Sequence, residues 1–147
     1  MKTKNNSYGK ENDLNLKTLI ALTRSTNKLN RRSNTVFRNH GLSTMQFAVL
    51  EVLYHKGDLR IGEIIEKILA TGGNMTVVIN NLVKEGMVEK YTDPKDSRSN
   101  IIHITDKGKS KIEEIFPEHL LDLDDFLKYI SSEEKHKLID ILIKLSV

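Results

Sequence analysis

Residues 61–105 read IGEIIEKILATGGNMTVVINNLVKEGMVEKYTDPKDSRSNIIHIT, and the fold turns on them. Ile61, Ile64, Ile65, Ile68 and Leu69 fall at i, i+3, i+4, i+7 and i+8, the spacing that lines one face of a helix. Ala70-Thr71-Gly72-Gly73 then turns the chain. Met75, Val78, Ile79, Leu82 and Val83 repeat the helical periodicity until Gly86 stops it. Two short amphipathic helices joined by a tight glycine-containing turn predict a helix-turn-helix. Met87 to Thr92 and Ser99 to Ile104 read as strands, with Ile102 and Ile104 on one face. Asp93-Pro94 opens the turn between them. The whole stretch predicts a helix-turn-helix followed by a two-stranded wing.

The turn of the wing carries more than turn formers. Lys95 and Arg98 stand at its tip, with Asp96 two residues before Arg98. A free arginine loses rotamer entropy when it binds. A neighbouring carboxylate holds the guanidinium in place beforehand. An arginine presented in this way suits a narrow minor groove, where negative potential concentrates. Lys95 suits a backbone phosphate. The plainer alternative is an exposed turn with a local ion pair of little energetic consequence.

The second helix points the same way. With Met75, Val78, Ile79 and Leu82 facing the core, the opposite face is Gly73, Val77, Asn80 and Lys84, flanked by Asn74, Thr76 and Asn81. Amides and hydroxyls match base edges, and Val77 suits a thymine methyl. The N–H groups at the helix start suit a phosphate. Asparagine is a middling helix former, so three of them between residues 74 and 81 invite a reason. A solvated polar face is the alternative, and the wing beside it favours DNA contact.

Outside this stretch the pattern is helical. Leu14 to Arg38 holds no Pro or Gly, and Leu19, Leu22, Thr26, Leu29, Ser33 and Val36 follow a 3-4-3-4-3 spacing. Lys28, Arg31, Arg32 and Arg38 make the end of this helix basic, and His40-Gly41 stops it. Ser43 with Gln46 is a capping box. Met45 to Tyr54 is apolar nearly all round and reads as a buried central helix. Downstream, Thr105 caps a helix with Ile112, Ile115, Phe116, Leu120, Leu123 and Leu127 on one stripe. Pro117 is expected to bend that helix or break it at Phe116. Ser131 and Glu134 open a last helix carrying Leu138, Ile141, Leu142 and Leu145.

The expected fold is therefore mainly α. Residues 41–105 form a winged helix-turn-helix. Residues 13–40 and 106–147 form long terminal helices whose stripes pair with another copy of the chain, and residues 1–12 form a mobile tail. The 147 residues hold no cysteine, which excludes disulfides, thiolate nucleophiles, cysteine-ligated zinc and thiol switches. The net charge of +3 permits an anionic partner without demanding one. No apolar run is long enough to span a membrane, no signal peptide is legible, and a cytoplasmic location is the expectation. His40, His55, His103, His119 and His136 are scattered, so neither metal nor cofactor is expected. No nucleophile–base pair, phosphate loop or carboxylate dyad stands out, which argues against an enzyme.

The segments LSTMQFAVLEVL, IGEIIEKIL, NMTVVINNLVKEGMVEK and DPKDSRSNIIHITDKG, in this order, resemble the MarR family of winged helix-turn-helix transcription factors. The family's wing motif, Asp-Pro-x-Asp-x-Arg ahead of a strand ending in Leu-Thr, is matched by Asp93, Pro94, Asp96, Arg98 and Ile104-Thr105. With the terminal helices, the likeness covers all but the first dozen residues. One departure is Ser97, where many members carry a second arginine, and one cationic contact is lost with it. The resemblance implies a homodimer reading a palindromic operator in double-stranded DNA. It also implies repression relieved by a small aromatic or phenolic ligand between the dimerisation helices and the DNA-binding lobe. Leu22, Thr26, Phe47, Leu50 and Tyr54 are the candidate lining, with plain core as the competing role for each. A transcriptional activator, or a winged helix used to bind protein, are the alternatives kept open.

Overall fold

The computed structural model describes residues 6–68 and 74–146. Helix α1 (Lys10–Asn39) starts earlier than expected, so residues 10–12 of the anticipated tail are helical. Asp13 accounts for this start. Its carboxylate accepts the Ser7 hydroxyl at 2.6 Å and the Tyr8 N–H at 2.9 Å, and an acid in the first turn complements the helix dipole. At the other end His40 caps the helix and Gly41, at φ +78°, reverses the chain.

Helix α2 (Thr44–Lys56) opens on the expected capping box: Ser43 Oγ accepts from Gln46 N–H at 3.1 Å, and Gln46 accepts from Ser43 N–H at 2.9 Å. Its Val49, Leu50 and Leu53 are fully buried, which makes it the centre of the domain. Strand β1 (Leu59–Arg60) follows, then α3 (Ile61–Ile68), α4 (Met75–Lys84), β2 (Val88–Asp93) and β3 (Asp96–Ile104). The sheet has three strands in the order β1-β3-β2, not two. A two-residue strand is too short to show periodicity in sequence, and only its pairing, Leu59 with Ile102 and Arg60 with Ile101, reveals it. Strand β3 also begins three residues before the expected Ser99, because a register shift at Thr92/Asp93 lets pairing run to Asp93 and Asp96 at the tip.

Helix α5 (Asp106–Leu127) runs unbroken through Pro117, so of the two expectations, a bend or a break at Phe116, the break does not occur. Proline removes one N–H, so the Glu113 carbonyl loses its helical partner. Packing holds the turns on either side: Phe116 stacks on Phe47 with centroids 6.2 Å apart, and His119 lies 5.1 Å from the Phe37 ring. Helix α6 (Ser132–Leu145) starts on the Ser131–Glu134 capping box. It buries no residue at all, and Ile139, Ile141, Ile143 and Leu145 are each more than half exposed. On α1 the heptad stripe is graded in the same way. Val36 is buried, Leu22, Leu29 and Ser33 are half-buried, and Leu19 and Thr26 are exposed. Among the described residues, no helix is long and apolar enough to cross a membrane.

Candidate nucleic-acid interface

Helix α4 buries Met75, Ile79 and Leu82 and half-buries Val78. Thr76, Val77, Asn80, Asn81 and Lys84 are exposed on the far side. No acid stands among residues 74–84. Gly73, expected on this face, lies outside the described residues, as do Leu69 and the turn Ala70-Thr71-Gly72. Two amides are already engaged. Asn74 is the N-cap, and its Oδ1 accepts the Val77 N–H at 3.4 Å. Asn80 Oδ1 accepts from Lys90 Nζ at 3.0 Å, tying the helix to β2. Each keeps its NH2 donors. Asn74 is thus first a helix cap, a role that Asn before an apolar periodic run signals in sequence. Thr76, Val77 and Asn81 form no side-chain hydrogen bond among the described residues.

The wing is built by two carboxylates with separate tasks. Asp96 Oδ1 accepts the Arg98 backbone N–H at 3.0 Å and the Arg98 Nε–H at 3.2 Å. The backbone bond first, then the guanidinium, hold its carboxyl below the usual carboxylate range. Arg98 itself is 90% exposed, so its terminal nitrogens project beyond the hairpin. Lys95 is exposed beside it. Asp93, read in sequence only as a turn opener, is 3% exposed. Its Oδ1 accepts the Lys95 N–H at 2.9 Å, and its Oδ2 accepts from Arg60 Nε at 2.7 Å and pairs with Arg60 Nη2. The Lys95 N–H first, then the Arg60 guanidinium, keep this carboxyl low against the opposing effect of burial. The tip is therefore bolted to β1 through Arg60, a residue that sequence reasoning missed because β1 itself was invisible. Asp58 adds a second tie, accepting from Tyr91 Oη at 2.8 Å and meeting His103 Nδ1 at 2.7 Å.

The five residues expected to line one effector pocket are not brought together. Phe47 and Leu50 are core, at 6% and 0% exposure. Leu22 and Thr26 line an open apolar groove between α1, α5 and α6, with Leu29, Phe126, Leu138 and Leu142. Tyr54 lines a separate cleft of about 240 Å³ between α2 and α5, with His55, Phe116, Pro117 and Leu120. Sequence periodicity assigns residues to faces but cannot say which faces meet. No group of residues suited to hold a metal is present among the described residues.

The two long helices α1 and α5 are clamped to each other by charge. His40 Nε2 lies 2.6 Å from Glu118 and its Nδ1 lies 3.2 Å from Glu114. Arg32 reaches Asp122 and Asp125, each at 2.8 Å. The bond to Glu118, then that to Glu114, raise the His40 pKa above its ordinary value despite partial burial. A raised histidine contributes its stability in full below the unfolded pKa and loses it as pH rises through the folded one. His40→Gln is therefore expected to lower the unfolding midpoint more at about pH 6 than at about pH 9. An equal loss at both pH values would show that the charge on His40 is not what holds α1 to α5.

Residues 31–115 match the family described as transcriptional regulator SarA/Rot. The HTH-type transcriptional regulator MhqR of Bacillus subtilis (strain 168) is 37% identical over 119 residues, 81% of this chain and 82% of MhqR. Among solved structures, Sco3205 of Streptomyces coelicolor, a MarR family transcriptional regulator in complex with DNA, superposes with a TM-score of 0.85 at 16% identity, over 98% of this chain and 91% of that one. BpsR of Bordetella bronchiseptica gives 0.79 at 19% identity, over 89% and 99%. At these identities both structures speak for the fold. The chain belongs to the MarR/SarA-type family of winged-helix transcriptional regulators. It is a DNA-binding regulator and not an enzyme.

Proposed function

We propose that the chain is a sequence-specific repressor that acts as a homodimer, each α4 entering a major groove over half of a palindromic operator while Arg98 enters the adjacent minor groove. The observation that carries this reading is the pairing of an acid-free α4 face with an arginine 90% exposed yet held by Asp96. The dimer is supported by the unpartnered apolar residues of α1 and α6, which a second copy would cover. The proposed cellular place of such a regulator is the cytoplasm.

Base readout is assigned to Thr76, Val77 and Asn81, with the NH2 groups of Asn74 and Asn80, and phosphate contact to Lys84 and Lys95. Base contacts specify and phosphate contacts position. Asn81→Ala and Thr76→Ala are therefore expected to narrow the affinity gap between operator and scrambled DNA, while Lys95→Ala weakens both alike. Competition binding with the two duplexes measures this. A uniform loss in all three variants would contradict base reading by α4.

Release by a small aromatic or phenolic effector is the proposed regulatory step. BpsR offers a parallel, its structure being described as regulation of DNA binding by 6-hydroxynicotinic acid. Of the two recesses that hold candidate lining residues, the α2–α5 cleft combines aromatic walls with a polar rim, since Tyr54 Oη donates to Glu113 at 3.1 Å.

A further inference from the structure

Between Asp13 and Glu51 the chain holds no acidic residue, although it has 20 acids in all. Six cations fall in that gap, all on α1. Arg32 is turned inward to Asp122 and Asp125. The other five, Lys17, Arg24, Lys28, Arg31 and Arg38, follow helical spacing of 7, 4, 3 and 7, so they share one face. That face is opposite the packed stripe of Leu22, Leu29, Ser33 and Val36, and every one of the five is exposed. Arg24, Lys28, Arg31 and Arg38 take part in no ion pair among the described residues, whereas Glu114, Glu118, Asp122 and Asp125 of α5 are engaged by His40 and Arg32. Ile20 is exposed between Lys17 and Arg24, but from Arg24 to Arg38 the side chains between the cations on this face, Asn27 and Thr35, are polar, and there is no aromatic residue. A surface of that composition lacks the aromatic anchors of a protein interface and suits a polyanion.

From Arg24 to Arg38 the row is about 21 Å long, against one phosphate per about 3.4 Å along a DNA strand. We propose that this outer face of α1 is a second DNA-binding surface, one that grips the phosphodiester backbone without reading sequence, separate from α4 and the wing. It rests on the chain's being a DNA-binding protein but not on where α4 and Arg98 dock. Its consequence is a larger contribution of counterion release, and so a steeper salt dependence, than the winged helix alone would give.

The test is the triple variant Arg24→Gln/Lys28→Gln/Arg31→Gln, which keeps good helix formers at exposed positions. Binding to a random-sequence duplex of about 40 base pairs is followed by fluorescence anisotropy from about 50 to 200 mM salt, with wild type and Arg98→Ala in parallel. Circular dichroism and light scattering check helix content and oligomeric state. The expected result is a slope of log affinity against log salt smaller by about 0.9 per lost contact, two to three in all, with at least about tenfold weaker binding and unchanged oligomeric state. Wild-type slope and affinity in the triple variant, beside weakened binding by Arg98→Ala, would overturn the proposal and leave the winged helix standing. A triple variant that loses its oligomeric state would also overturn it, assigning the row to a contact between copies. Weak binding with a shallow slope in the wild type itself would remove the DNA-binding reading and this one together.

Discussion

Replacing Arg98 by alanine is expected to weaken binding to operator DNA roughly ten- to a hundredfold. The reason is that Arg98 has no structural task to lose. It is 90% exposed, and among the described residues its only side-chain partner is Asp96 and no buried group depends on it. The folded state should be unchanged, so the whole effect is read in DNA affinity. Asp96→Ala should cost less than Arg98→Ala, since it frees the guanidinium without removing it and also deletes a carboxylate that stands near phosphates. Anisotropy with a labelled duplex at fixed salt measures both, and thermal unfolding confirms the fold. Equal affinity of wild type and Arg98→Ala would mean that the wing does not enter the groove.

The second large effect is on stability. Gly108→Ala is expected to destabilise the protein by about 3 kcal/mol. Gly108 lies buried in the first turn of α5, directly against the root of the wing. A Cβ there would overlap the Met87 carbonyl oxygen and stand 2.8 Å from the Ile104 side chain. The Met87 carbonyl cannot retreat freely, because it accepts the Thr105 N–H at 3.0 Å, and Thr105 caps the same helix. The close approach is what seats α5 on the end of β2, and so fixes the wing relative to the long helices. Gly62 is the control: nothing lies within 4 Å of a Cβ there, so Gly62→Ala should be neutral or stabilising by about 0.5 kcal/mol. Chemical denaturation of the two variants decides. A Gly108→Ala protein as stable as Gly62→Ala would show that the α5–β2 contact is looser than described.

Much of this architecture was legible beforehand because it is local. The capping boxes at Ser43 and Ser131, the apolar α2 and the two strands around Asp93-Pro94 all follow from spacings of a few residues. Strand β1 and the Arg60–Asp93 bond were not legible, since a two-residue strand shows no periodicity and the bond joins residues 33 apart. At Pro117 the helix is not broken, because the packing of Phe116 and His119 holds the turns on either side against the lost hydrogen bond and the crowding of the Glu113 carbonyl. On α4 the exposed face was legible, but not that Asn74 and Asn80 each have a partner close at hand, one by capping and one across to Lys90. That the five candidate lining residues do not share one recess has a different reason. Leu22 and Tyr54 are correctly placed on apolar faces, yet those faces open onto different recesses.

The central claim, that two copies of this winged helix read DNA together, is tested most directly by selecting bound duplexes from a random-sequence pool with the purified protein. The enriched sequence should be an inverted repeat whose half-sites lie about one helical turn apart, or a multiple of it, with A·T-rich flanks where Arg98 enters. No enrichment, or a single site without two-fold symmetry, would contradict the dimeric readout and the placement of α4 and the wing that it rests on.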